Sequence, residues 1–166
     1  NRLLMQYREI KLDDKIYKLF TNDLANSRKV IYCTDNCGEI VLDKLLIKYL
    51  TLYYPQLEIQ VIVRGEEIGN DASIEDAENI SMQEVAAFEG NGTTIAGTSL
   101  HLLSDELKKK FYKADMIISK GQGNYETLSG SGLNIYYLFL CKCNHLQKIF
   151  LAKFLDPIFS MECERR

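Results

Sequence analysis

KVIYCTDNCGEIVLDKLLIKYL, residues 29–50, decides the fold. KVIYC is a short apolar run rich in β-forming residues, and it stops at Asp35. EIVLDKLLIKYL, 39–50, has neither Gly nor Pro and is apolar around most of its circumference, which predicts a helix covered on more than one side. A buried strand leading through a polar turn into a buried helix is the opening half of a βαβ unit.

The same alternation repeats outward. Residues 11–26 carry Leu12, Ile16, Leu19 and Phe20 at helical spacing. LEIQVIVRG (57–65) reads as a buried strand, and Ser73 with Asp76 reads as a capping box opening a helix over 73–80. A weaker strand is predicted at 85–88, ahead of the loop GNGTTIAGT. Ser104 caps a helix through DELKKKFYKA, and ADMIISKG (114–121) and NIYYLFLCK (134–142) are further apolar strands. Near-continuous rather than alternating apolar strands, separated by helices, predict an α/β fold: a Rossmann-like three-layer α/β/α sandwich on a mostly parallel sheet.

Composition fits that class. The chain has 166 residues, 46% hydrophobic and 26% charged, with a net charge of −3, so one domain spanning 1–166 is expected. Mild acidity argues against a nucleic-acid surface, and no apolar run approaches the ~20 residues of a membrane span. Five cysteines without CxxC spacing and two histidines argue against a disulfide framework or structural zinc. The first residues mix charge with leucine rather than forming a signal peptide, so the cytoplasm is the expected location. The chain opens on Asn rather than Met, as expected of a piece of something longer.

In open α/β sheets the ligand lies beyond the carboxyl ends of the strands. There the sequence places DNCGE (35–39), then RGEEIGND (64–71), then KGQGNYET (120–127). Asp35, Asn36 and Asp71 are hard oxygen donors suited to an octahedral divalent ion. Gly38 opens a helix whose N–H groups could hold phosphate, Lys120 offers a point positive charge, and Gly121 lets backbone approach closely. Each piece alone reads as a turn, a cap or a solvated strand exit; their coincidence at successive strand ends is what points to a phosphoryl site. Lys108–Lys110 reads as a solvated helix face, Cys141 and Cys143 as buried small residues, and Cys37 as packing. The P-loop, GxGxxG and GxSxG fingerprints are absent.

DNCGEIVLDKLLI (35–47) resembles the DNAGEIVFDxLLI segment of the metal-dependent damage-control phosphatases, formerly domain of unknown function 89, in their prokaryotic branch. VIVRGEEIGNDASIEDA (61–77) and SKGQGNYETL (119–128) are similar to two further motifs of that family, in the same order. The resemblance implies hydrolysis of small phosphate monoesters, sugar phosphates or related metabolites, with a divalent cation such as Mg, Mn, Co or Ni. It places metal ligands on Asp35, Asn36 and Asp71 and the phosphate-binding lysine on Lys120. Cys37 and Ser73 replace Ala and Thr, and Glu66, Glu67 and Gly69 replace a proline-containing loop, which would reshape substrate selection. The family also carries a helical segment ahead of its α/β domain, of which residues 1–26 are read as the remnant.

The expected roles follow. Asp35, Lys120 and Glu39 are the catalytic candidates, Asp35 doubling as an alternative nucleophile and Glu39 or Glu126 as acid or base. Gly38, Glu39, Asn70, Lys120, Gly121, Asn124 and Glu126 are expected around the phosphate and substrate. The expected partner is a small phosphorylated metabolite, with no nucleic acid and no membrane. Two rival readings are a non-catalytic phosphometabolite-binding module and an S-adenosylmethionine-dependent methyltransferase, the second weakened by the missing glycine-rich first loop.

Overall fold

The computed structural model describes residues 12–162. The expected remnant over residues 1–26 lies outside the described residues in its first eleven positions. The rest forms α1 (Asp14–Asn26), capped by the Asp13 carboxylate, which accepts from the N–H groups of Lys15 and Ile16.

Strand β1 (Lys29–Cys33) leads into α2 (Ile40–Tyr53), β2 (Glu58–Val63) and α3 (Ile74–Asn79), which opens with the anticipated Ser73–Asp76 capping box. A 3-10 turn (Met82–Glu84) precedes β3 (Ala87–Gly90), placed two residues later than expected. Then come α4 (Asp105–Lys113) under its Ser104 cap, β4 (Met116–Lys120), α5 (Gln122–Leu128), β5 (Ile135–Leu140), α6 (Asn144–Phe150) and β6 (Pro157–Met161). The sheet has six strands in the order β3-β2-β1-β4-β5-β6. All neighbours run parallel except β6, which returns antiparallel along β5.

Alternate residues of each strand feed two cores, one per face. Val30, Tyr32, Val61 and Ile118 pack with Leu24, Ile47 and Ala77 of α1, α2 and α3. Ile31, Ile62, Ile117 and Tyr137 pack with Leu107, Leu128 and Leu146 of α4, α5 and α6. The three-layer expectation is therefore met. One expectation fails among the described residues: α2 is covered on its sheet side only. Val41, Leu42, Leu45, Tyr49, Leu52 and Tyr53 stay exposed on its outer arc, Leu52 at 74%. The KGQGNYET stretch also differs from a loop, because it turns directly into α5. Among the described residues, no helix is long and apolar enough to cross a membrane.

Candidate active site

The chain leaves β1 towards β2 on one side and leaves β4 towards β5 on the other, so a crevice opens between the carboxyl ends of β1 and β4. Asp35 lies just past β1, and Lys120 closes β4. Gly121 has φ +84°, and a Cβ there would fall on the Asp35 carboxyl group. Only glycine permits both that backbone shape and that approach.

The loops after β1 and β2 are tied through main-chain atoms. Cys37 N–H donates to the Asn70 carbonyl (2.9 Å) and Ala72 N–H to the Asp35 carbonyl (2.7 Å). Asn36 and Asp71 form an antiparallel bridge. The two acids are thereby brought together, and one guanidinium reaches both. Arg64, at the end of β2 and 1% exposed, holds Asp71 at 2.6 Å through Nε and faces Asp35 at 3.9 Å through Nη2. Burial first, and then the charge of Asp71, push the Asp35 carboxyl above its ordinary range; Arg64 opposes them.

Across the crevice, Lys120 Nζ donates to Asp43 Oδ1 (2.9 Å) and Glu39 Oε2 (3.1 Å). Burial alone would push the lysine down, but Asp43 and Glu39 more than offset it and the net direction is up, so Lys120 is a fixed cation. Asp43, on α2, also accepts the Tyr32 hydroxyl at 2.6 Å. Burial and the Asp43 charge hold that hydroxyl well above its usual range, which keeps it a donor.

A groove of about 1220 Å³ runs from this point over the β5–β6 end of the sheet. Asp35, Glu39, Lys120 and Gly121 stand at one end, and Ile16, Leu19, Leu138 and Phe159 line its length. Lys142, after β5, is on the same wall.

Other expected residues fall differently. The Gly38 N–H donates to Asn36 Oδ1 at 2.8 Å, a contact within the loop. Asn70 serves through its carbonyl, as above. Asn124 does not reach the groove: it is fully buried, donates to the carbonyls of Thr34 (2.8 Å) and Lys120 (2.7 Å), and accepts from Arg64 Nη1 (3.3 Å). It fastens the ends of β1 and β4. Glu126 is exposed on α5, where it accepts from Gln122 (2.8 Å). Sequence reading missed Arg64 and Asp43. The available signals were an arginine closing an apolar strand and an aspartate inside an apolar helix.

Among the described residues, no group of three or more His, Cys, Asp or Glu side chains is placed to hold a cation. The donor set on offer is two carboxylates and an amide. It fits a hard divalent ion because the Asp35–Asp71 repulsion is the kind an ion relieves.

Comparison with known proteins adds an independent line. A family model described as the damage-control phosphatase ARMT1-like domain matches residues 3–153. The chain is 38% identical over 141 residues to an uncharacterized protein of Methanocaldococcus jannaschii, covering 81% of this chain and 45% of that protein. It is 35% identical over 140 residues to a damage-control phosphatase of Pyrococcus horikoshii (81% and 48% covered) and 40% identical over 120 residues to one of Archaeoglobus fulgidus (71% and 41%). A crystal structure of a DUF89 family protein from Pyrococcus horikoshii superposes with a TM-score of 0.85 at 30% identity, over 97% of this chain and 56% of that one. The chain thus spans about half the length of the curated relatives it matches. On fold, motifs and similarity together, it belongs to the damage-control phosphatase ARMT1-like (DUF89) family.

Proposed function

We propose that this chain carries the centre of a divalent-metal-dependent phosphatase acting on small phosphorylated metabolites in the cytoplasm. The observation that supports this reading is Asp35, which shares Arg64 with Asp71, standing with Lys120 at one end of the same groove. The names of the archaeal relatives point the same way.

Asp35, Asn36 and Asp71 would hold the cation, which, when bound, polarises the phosphoryl oxygens and activates a water. Lys120 supplies fixed positive charge to the equatorial oxygens as they gain charge. Two of its three N–H groups are taken by Asp43 and Glu39, leaving one for substrate among the described residues. Glu39 is 47% exposed, able to swing from Lys120 and accept the proton that the attacking water loses. The apolar length of the groove receives the remainder of the metabolite and excludes water from it.

The test is phosphate release from an aryl phosphate with Mg²⁺, Mn²⁺, Co²⁺ or Ni²⁺, with and without chelator. Chelation and the Asp35→Ala/Asp71→Ala pair should each remove at least about 100-fold of the turnover. Turnover that survives both sinks the metal role. Phosphate-ester binding without turnover makes the chain a binding module instead.

A further inference from the structure

We propose that Asp43 is a positioning residue for Lys120, holding its ammonium group at the mouth of the groove while Tyr32 fixes the rotamer of Asp43. The inference rests on the phosphatase reading above and names how its lysine is placed.

The geometry points beyond an ordinary core ion pair. Asp43 is 2% exposed, inside α2 and facing the sheet, where a carboxylate is costly unless paired. Both of its partners converge on Oδ1, Tyr32 from β1 at 2.6 Å and Lys120 from β4 at 2.9 Å. Among the described residues, Oδ2 is buried with no partner. A pair selected for stability alone would satisfy both oxygens; this one leaves the second unpaired and aims the first at a single point. The two acids on Lys120 also differ in kind. Glu39 is half-exposed and free to move, whereas Asp43 is enclosed. When Glu39 swings aside, Asp43 is the contact that still fixes the ammonium group. Asp43 and Glu39 stand four residues apart, so both face the lysine from one side of α2. Tyr32 donates from the strand beside β4, and the oxygen that holds Lys120 is therefore referenced to the sheet itself.

The test measures aryl phosphate turnover and, by calorimetry with Mn²⁺ present, the affinity for inorganic phosphate. The parent is compared with Asp43→Asn, Tyr32→Phe, Lys120→Met and the double variant Asp43→Asn/Lys120→Met. Asparagine keeps the shape and still accepts the Tyr32 hydroxyl, but it loses the charge. Asp43→Asn is expected to lower kcat by about tenfold to a hundredfold and to weaken phosphate binding, with cooperative unfolding retained. Tyr32→Phe should give a smaller loss in the same direction. In the Lys120→Met background, Asp43→Asn should add nothing, because its effect runs through the lysine. An equal penalty in both backgrounds, or parental turnover and phosphate affinity in Asp43→Asn, overturns the proposal. If Asp43→Asn does not fold, Tyr32→Phe in both backgrounds decides by the same criteria. Phosphate affinity also separates the two readings. A parent without turnover whose phosphate binding depends on Asp43 only when Lys120 is present rejects the phosphatase and keeps the lysine placement. Normal turnover that ignores Asp43 rejects the placement alone, and a parent that neither binds phosphate nor turns over overturns both.

Discussion

Arg64 sits where four segments meet. Its Nε takes Asp71, and its Nη1 reaches the Gly97 carbonyl (3.0 Å), Thr98 Oγ1 (3.2 Å) and Asn124 Oδ1 (3.3 Å). Such a planar fork makes several directed bonds at once, which an ammonium cannot copy. Replacing it with methionine keeps apolar bulk but takes the donor from the Asp71 carboxylate, from Thr98 Oγ1 and from Asn124 Oδ1, and leaves the Gly97 carbonyl only its bond from Asn91. Arg64→Met should therefore lower unfolding stability by about 3 kcal/mol in urea titrations and scatter Asp71 away from Asp35. A variant with the parent's denaturation midpoint would show that the fork does not hold these segments. Asp43 and Arg64 escaped sequence reading for one physical reason. A charged residue on a helix or strand defaults to solvent, and what makes these two internal is a partner far along the chain: Lys120 lies 77 positions from Asp43, and Asn124 lies 60 from Arg64. The places of Asp35 and Lys120 were legible because they stand where apolar strands end, and that of Asp71 because it closes the polar loop after the next strand.

Among the elements, β1 and β4 matter most, because the crevice opens between them. Their amino-terminal ends are fastened by Asp115, in the turn before β4, whose Oδ2 accepts from the N–H groups of Arg28 (2.9 Å) and Lys29 (2.8 Å). Those two bonds, Lys29 first, hold the Asp115 carboxyl below its ordinary range. A depressed native pKa contributes stability above the unfolded value, near 4, and loses it as pH falls through the native one. Asp115 is exposed and solvent screens its charge, so Asp115→Asn should cost only about 0.5 kcal/mol at pH 7, and the gap should close below about pH 4. A gap that persists or widens in acid would remove the carboxylate from the account. The main strands and long helices were readable because their apolar periods exceed any turn. Short α5 was not, since two glycines in KGQGNYET imitate a loop, and Gly121 is in fact the left-handed residue on which the helix starts. The tail had no period to read; there Cys143 caps α6 through its thiol, and β6 begins at Pro157 on the sheet's edge.

At the scale of the whole molecule, the crowding of Asp35 against Asp71 makes function and stability oppose each other. The native Asp35 carboxyl is raised, so its stabilising share is present at low pH and is lost as pH rises through the native value. Without added metal, Asp35→Asn should therefore melt higher than the parent at pH 7, with the advantage shrinking towards pH 4. Added Mn²⁺ should raise the melting temperature of the parent by mass action and leave the variant unchanged. Thermal melts across pH with and without Mn²⁺ decide it; a metal-free parent that melts above the variant at pH 7, or equal stabilisation of both by the ion, rules the idea out. The seam between the loops after β1 and β2 has a consequence of another kind. It is sewn with main-chain carbonyls and amides, so the side chains along that border, at Cys37, Glu66 and Glu67, are released from structural duty. Substitution can thus redecorate this border freely while the acids beneath keep their places.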